Sequence, residues 1–112
     1  MNHTKDINQL SELLSSLKNQ LKPSLVQLCS RIGIENNLMD RVIRNVREQY
    51  GEQLFFMKVS SDASRILKQE LQTSKNPVLL LVHKGELKAV FGGIVAQYRL
   101  VEALEGLSLK TN

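Results

Sequence analysis

The chain has 112 residues, 42% of them hydrophobic and 23% charged, which is close to globular averages and enough chain for one core, so a single domain over residues 1–112 is expected. One cysteine, Cys29, excludes an internal disulfide framework, a cysteine-built zinc site and dithiol–disulfide exchange within the chain. The net charge of +4 is spread along the sequence and aromatic residues make up only 4%, a poor match to a nucleic-acid surface, which clusters Lys and Arg with stacking rings.

The segment from Thr4 to Leu21 carries Ile7, Leu10, Leu14, Leu17 and Leu21 at steps of three and four, which predicts a first helix, capped by Thr4 or Asp6 and stopped by Pro23. Leu13 lies off that stripe, so the helix is apolar on two sides. It either packs fully on its own domain, the favoured reading, or supports a weak homodimer. Ser24-Leu-Val-Gln-Leu-Cys29 is a short apolar run and reads as a buried strand. Asn36 or Asn37 opens a second helix with Leu38, Val42, Ile43, Val46 and Tyr50 as its stripe and Gly51 as its C-cap.

Leu54 to Val59 is the next strand, and Ser60, Ser61 and Asp62 offer N-cap oxygens to a short helix through Ile66, Leu67 and Leu71. Pro77 to Val82 is nearly all apolar, as a strand buried on both faces is, with Pro77 at its start because proline cannot donate to a ladder. His83-Lys-Gly85-Glu86 is a hairpin turn leading into a strand from Leu87 to Phe91. Gly92-Gly93 breaks that strand, and a last helix runs from about Ala96 to Gly106, with Leu100, Val101, Leu104 and Leu107 facing the core. The order α-β-α-β-α-β-β-α, with a right-handed parallel crossover early and an antiparallel hairpin late, predicts an α/β fold: a three-layer α/β/α sandwich around a mixed sheet.

This order and several local strings resemble thioredoxin between Lys22 and about Leu107. Lys22 to Cys29 is similar to the strand leading into the family's active site. Glu48-Gln-Tyr-Gly51, Met57-Lys-Val-Ser-Ser-Asp62, Asn76 to Glu86 and Gly93 follow in the family's order. The resemblance implies a thioredoxin-like sandwich with four strands, or five if the family's first strand, not evident before Lys22, is present.

The departures lie where the family does its chemistry. In place of Trp-Cys-Gly-Pro-Cys the matching positions read Ile32-Gly33-Ile34-Glu35-Asn36, so Gly33 and Asn36 stand where the redox cysteines would be. Gln27 matches the family's buried aspartate, and Cys29 matches an aromatic position. Pro77 matches the proline that is cis in thioredoxins, where the preceding backbone can pair with an extended client peptide, a mode of binding that needs no cysteine.

The resemblance therefore implies a redox-inactive domain acting as a protein- or peptide-binding adaptor or assembly factor. Its docking surface is expected at Ile32, Gly33, Ile34, Glu35, Asn36, Asn76, Pro77, Gly92, Gly93 and Ile94, with no catalytic residue. The alternative is a monothiol oxidoreductase or glutathione-linked enzyme using Cys29. That thiol would need a lowered pKa, whereas its place at the end of a buried strand favours a small hydrophobe.

His3 and His83 lack partners at metal-ligand spacing, so no metal or cofactor is expected. Arg41, Arg44 and Arg47 share the outer part of the second helix. Asp40 and Glu48 are placed to pair with Arg44 there, and an acid- or phosphate-binding patch is the other use of these arginines. Residues 1–9 are polar and no apolar run reaches the ~18 residues of a membrane span, so a cytoplasmic protein with no membrane partner is expected.

Overall fold

Among residues 4, 5 and 9–107, which the computed structural model describes, the apolar runs form strands and the helix-periodic segments form helices. In chain order these are β1 (Thr4–Lys5), α1 (Leu10–Ser16), β2 (Ser24–Leu28), α2 (Gly33–Tyr50), β3 (Phe55–Val59), α3 (Ser61–Glu70), β4 (Val78–His83), β5 (Glu86–Gly92) and α4 (Gln97–Glu105), with a 3-10 turn at Gly51–Gln53. The five strands make one mixed sheet in the order β1-β3-β2-β4-β5. β3 is parallel to β1 and β2, whereas β4 is antiparallel to β2 and β5.

Strand side chains alternate between faces, and two separate cores result. Val26, Leu28, Met57, Val59, Val78, Leu80 and Val82 pack with Leu13 and Leu17 of the α1 segment and Ala63 and Leu67 of α3. Leu25, Phe56, Leu79 and Leu81 point the other way, onto Met39, Val46 and Tyr50 of α2 and Leu100 and Leu104 of α4. The sheet is thus covered on both faces, and the five positions Val78–Val82 are buried without alternation, as a central strand between two helix layers must be.

The β4–β5 connection is a two-residue turn with Lys84 at φ 55° and Gly85 at φ 79°, the left-handed pair that matches strand twist. Gly85 is required twice over. A Cβ there would also lie 3.2 Å from Lys18 Cα and 3.4 Å from the Leu14 carbonyl oxygen, where the turn packs against the end of α1.

The first element differs most from expectation. Thr4 does not cap a helix: Thr4–Lys5 is a two-residue strand pairing with Lys58–Val59, so the sheet has its fifth strand. The helix covers only Leu10–Ser16, ending well before Pro23, and Leu21 is 84% exposed. Leu13 of the helix and Leu17 just after it are buried, with Leu10 and Leu14 at the margin, so Leu13 joins the stripe and the helix packs on its own sheet. Glu70, at the end of α3, supplies the missing cap by accepting from the Leu10 N–H at 2.9 Å. Asp6 and Ile7, read as cap and stripe, lie outside the described residues, as does His3.

Other differences are local. α2 starts at Gly33, three residues before Asn36, and buries Met39 while Leu38 is 43% exposed. In α3 the Ser60 hydroxyl accepts from the Ala63 N–H at 3.3 Å as an N-cap, and Ile66 faces outward.

Candidate functional site

The sheet topology brings three segments to one end of the molecule. Leu28 at the end of β2 pairs with Val78 at the start of β4, and Val78 pairs with Gly92 at the end of β5. The loop from Cys29 to Ile32, the Asn76–Pro77 pair and the Gly92–Ile94 turn therefore meet there. The Gly93 N–H donates to the Pro77 carbonyl at 2.8 Å, tying two of them together, and the Asn76–Pro77 peptide bond is cis.

The loop entering α2 is held by a polar clasp. The Ser30 N–H donates to Asn36 Oδ1 (2.8 Å), and the Asn36 amide donates back to the Ser30 carbonyl (2.8 Å). The Ser30 hydroxyl donates to Glu35 Oε1 (2.5 Å) and accepts from the Ile32 N–H (3.0 Å). Ser30 is buried, so these bonds account for backbone groups that would otherwise be stranded. Asn36, expected to open the helix, instead braces the loop from within its first turn. Glu35 and Asn36 are thus spent on the loop, while Ile32, Ile34 and Ile94 are 56%, 66% and 47% exposed. Gly33, Asn76 and Gly92 are exposed, Gly93 is half-buried, and Pro77 is buried under the surface they form.

Behind this loop, on the face under α2, Gln27 and Lys58 are directly paired across β2 and β3. Lys58 reaches up to Asp40 of α2, 3.0 Å away, so Asp40 pairs across the layers rather than with Arg44 along its own helix. Gln27 is 1% exposed, and neither its amide oxygen nor its amide nitrogen has a hydrogen-bond partner among the described residues. Cys29, two residues on, is half-buried next to this pair. Burial pushes its thiol pKa above the ordinary value; Lys58 pulls it down, and Asp40 raises it again.

Of the helix arginines, Arg41 and Arg44 are exposed, and Arg47 lies over the Phe56 ring at 4.3 Å. The role of Lys58 was not foreseen, although a lone cation inside the apolar run Leu54–Val59 was a visible signal. Among the described residues no group of three or more His, Cys, Asp or Glu side chains is arranged to hold a metal ion. None of the described helices is long and apolar enough to cross a membrane.

This is the thioredoxin-like fold. Desulfothioredoxin from Desulfovibrio vulgaris Hildenborough superposes with a TM-score of 0.71 at 18% identity, covering 95% of this chain and 96% of that one. A cysteine-to-serine mutant of Entamoeba histolytica thioredoxin gives 0.62 at 20% identity, over 93% and 99% of the two chains. Thioredoxin-2 of the malaria parasite, described as a component of its protein secretion machinery, gives 0.65 at 13% identity over 76% and 82%. No protein-family model and no curated protein matches the chain. With one cysteine, the chain is a thioredoxin-like domain without the Cys-x-x-Cys pair.

Proposed function

We propose that this protein binds an extended peptide or a partner protein at the surface formed by Ile32, Ile34 and Ile94, and that it does so without thiol chemistry. The observation that carries this reading is the exposure of three large apolar side chains, brought from two separate segments to one end of the sheet. Grouped apolar exposure of this kind marks interaction surfaces more often than chance. Two features support it. The clasp around Ser30 holds the loop in place using Asn36, at one of the two positions that match the redox cysteines, together with Glu35 and Ile32. Asn76, exposed and joined to buried Pro77, stands at the same end of the sheet, the place where the resemblance puts an added peptide strand.

The alternative, a monothiol oxidoreductase or glutathione-linked enzyme, draws on Cys29 being only half-buried and close to Lys58. Against it stands the net upward push on the thiol pKa, which reduces the thiolate fraction that does the chemistry. One experiment separates the two readings: selection of peptides from a random display library on the full chain, repeated with an Ile34→Asp, Ile94→Asp variant and with Cys29→Ser. The adaptor reading expects enriched apolar peptides whose binding is lost in the first variant and kept in the second. Binding lost only with Cys29→Ser, or captured through a reducible bond, supports the alternative.

A further inference from the structure

The segments that meet at the end of the sheet bearing Ile32, Ile34 and Ile94 carry charge of one sign. Residues 29–34, 73–77 and 92–99 contain Arg31, Lys75 and Arg99 and no Asp or Glu. Arg31 is exposed directly before Ile32. The Lys75 stem lies across Gly92: its Cβ and Cγ come within 2.9 Å of where a side chain on Gly92 would begin, two residues before Ile94. The Arg99 guanidinium lies over the ring of Phe91, next in sequence to Gly92, 5.7 Å from the ring centre. Lys68 of α3 donates to the Asn76 side chain and brings a fourth positive charge to the Asn76–Pro77 segment. The neighbouring carboxylates do not balance these cations. Asp40 is paired with Lys58, Glu35 is turned into the clasp on Ser30, and Asp62 belongs to the first turn of α3, on the other face of the sheet from α2. Arg31, Lys75 and Arg99 form no ion pair among the described residues. Glu52 and Glu86 stand at the opposite, hairpin end of the sheet, so the charge is polarised along the strands towards the apolar patch.

We infer that the segment docking at this surface is an acidic peptide: extended, with apolar side chains that cover Ile32, Ile34 and Ile94, and Asp or Glu side chains that meet Arg31, Lys75 and Arg99 at the rim. This rests on the peptide-binding reading of the same surface and adds the sign of the partner's charge. Apolar burial drives the association. On its own, an exposed apolar patch accepts any apolar segment, whereas cations around it admit acidic segments and repel basic ones. Arg31 and Arg99 can each take a carboxylate through two parallel hydrogen bonds, and Lys75 acts as a point charge. One exposed pair changes affinity by no more than about fivefold, so the discrimination comes from the three acting together. The same cations speed the encounter with an acidic chain, an effect that salt screens.

The test is a random-peptide display selection on the full chain and, in parallel, on an Arg31→Glu, Lys75→Glu, Arg99→Glu variant, with the affinity of enriched peptides then measured by fluorescence anisotropy. Peptides enriched on the unaltered chain are expected to combine apolar residues with Asp or Glu and to carry net negative charge. The triple variant is expected to bind them at least about tenfold more weakly and to enrich Lys- or Arg-bearing peptides instead. All three residues are exposed, and Arg31→Gln, Lys75→Gln, Arg99→Gln, which adds no repulsion, is expected to fall between. Affinity of the unaltered chain for its acidic peptides is expected to drop several-fold between about 50 and 500 mM salt, a readout that needs no variant. Apolar peptides enriched without acidic bias, or affinity unmoved by salt and by both triple variants, would overturn the inference and leave the apolar docking surface standing. An acidic peptide that binds as tightly after its apolar residues are replaced by serine would overturn it as well, because charge alone would then suffice. No enriched peptide, or binding unaffected by Ile34→Asp, Ile94→Asp, would remove the docking surface and the inference with it.

Discussion

Among the described residues, two buried side chains, Gln27 and Tyr50, carry polar atoms without a hydrogen-bond partner, and they behave differently. Gln27 has its whole amide buried without a partner among the described residues. An unpaired buried amide costs about 1–3 kcal/mol, and replacing it by an apolar group of similar shape recovers much of that. Gln27→Leu is therefore expected to raise the urea midpoint, by about 1–2 kcal/mol of stability. Tyr50 packs its ring fully into the α2–α4 core, with the hydroxyl likewise unpaired. Burial pushes its pKa above the ordinary 10.0, and Glu105 pushes it further the same way. The fold thus favours the neutral phenol: this contribution is intact below the phenol's ordinary pKa and is lost as pH rises through the raised one. Tyr50→Phe is expected to leave stability near pH 7 unchanged or slightly higher, and to flatten the decline at alkaline pH. A thermal melt series from pH 7 upward, run on both proteins, checks this.

The elements show how local sequence and distant partners divide the work. β4 and its hairpin were legible in the sequence, because an uninterrupted apolar run, a leading proline and a glycine in the turn each have one reading. The position of Lys58, a charge within a strand, was legible as an anomaly but not as half of an ion pair, because its partner Asp40 lies on another element. α1 is shorter than its periodicity predicts: its N-terminal cap comes from Glu70, sixty residues away, and nothing in residues 4–21 announces that. A two-residue strand such as β1 has no periodicity to detect. Asparagine favours helix N-caps, so the sequence predicts Asn36 or Asn37 as the opener; here Asn36 lies in the helix's first turn and its amide closes onto Ser30. That role carries a prediction. Asn36→Ala strands the N–H and C=O of buried Ser30 and is expected to destabilise the protein by about 1–3 kcal/mol. The Ser30 amide should also exchange with deuterium well before its β2 neighbours, and Asn36→Asp, which keeps only the acceptor, should fall between the two.

The whole molecule is a thioredoxin-like sandwich in which the end of the sheet is braced by hydrogen bonds instead of carrying a redox pair. The candidate surface was legible from the chain because fold resemblance places the three loops together, and the structure sorts them: apolar Ile32, Ile34 and Ile94 outward, Glu35 and Asn36 inward to the clasp. What the chain could not show was which cations border that surface, since Lys75 is placed by its contact with Gly92 and Arg99 by its contact with Phe91. The central claim, that the domain works without thiol chemistry, is tested most directly by the pH dependence of Cys29 alkylation with iodoacetamide. The folded protein is compared with the same chain unfolded in urea. The predicted result is a midpoint above that of the unfolded chain and slower modification at neutral pH, as burial of the thiol requires. A midpoint below the unfolded reference, with fast modification at neutral pH, would contradict the account and restore Cys29 as a working thiol.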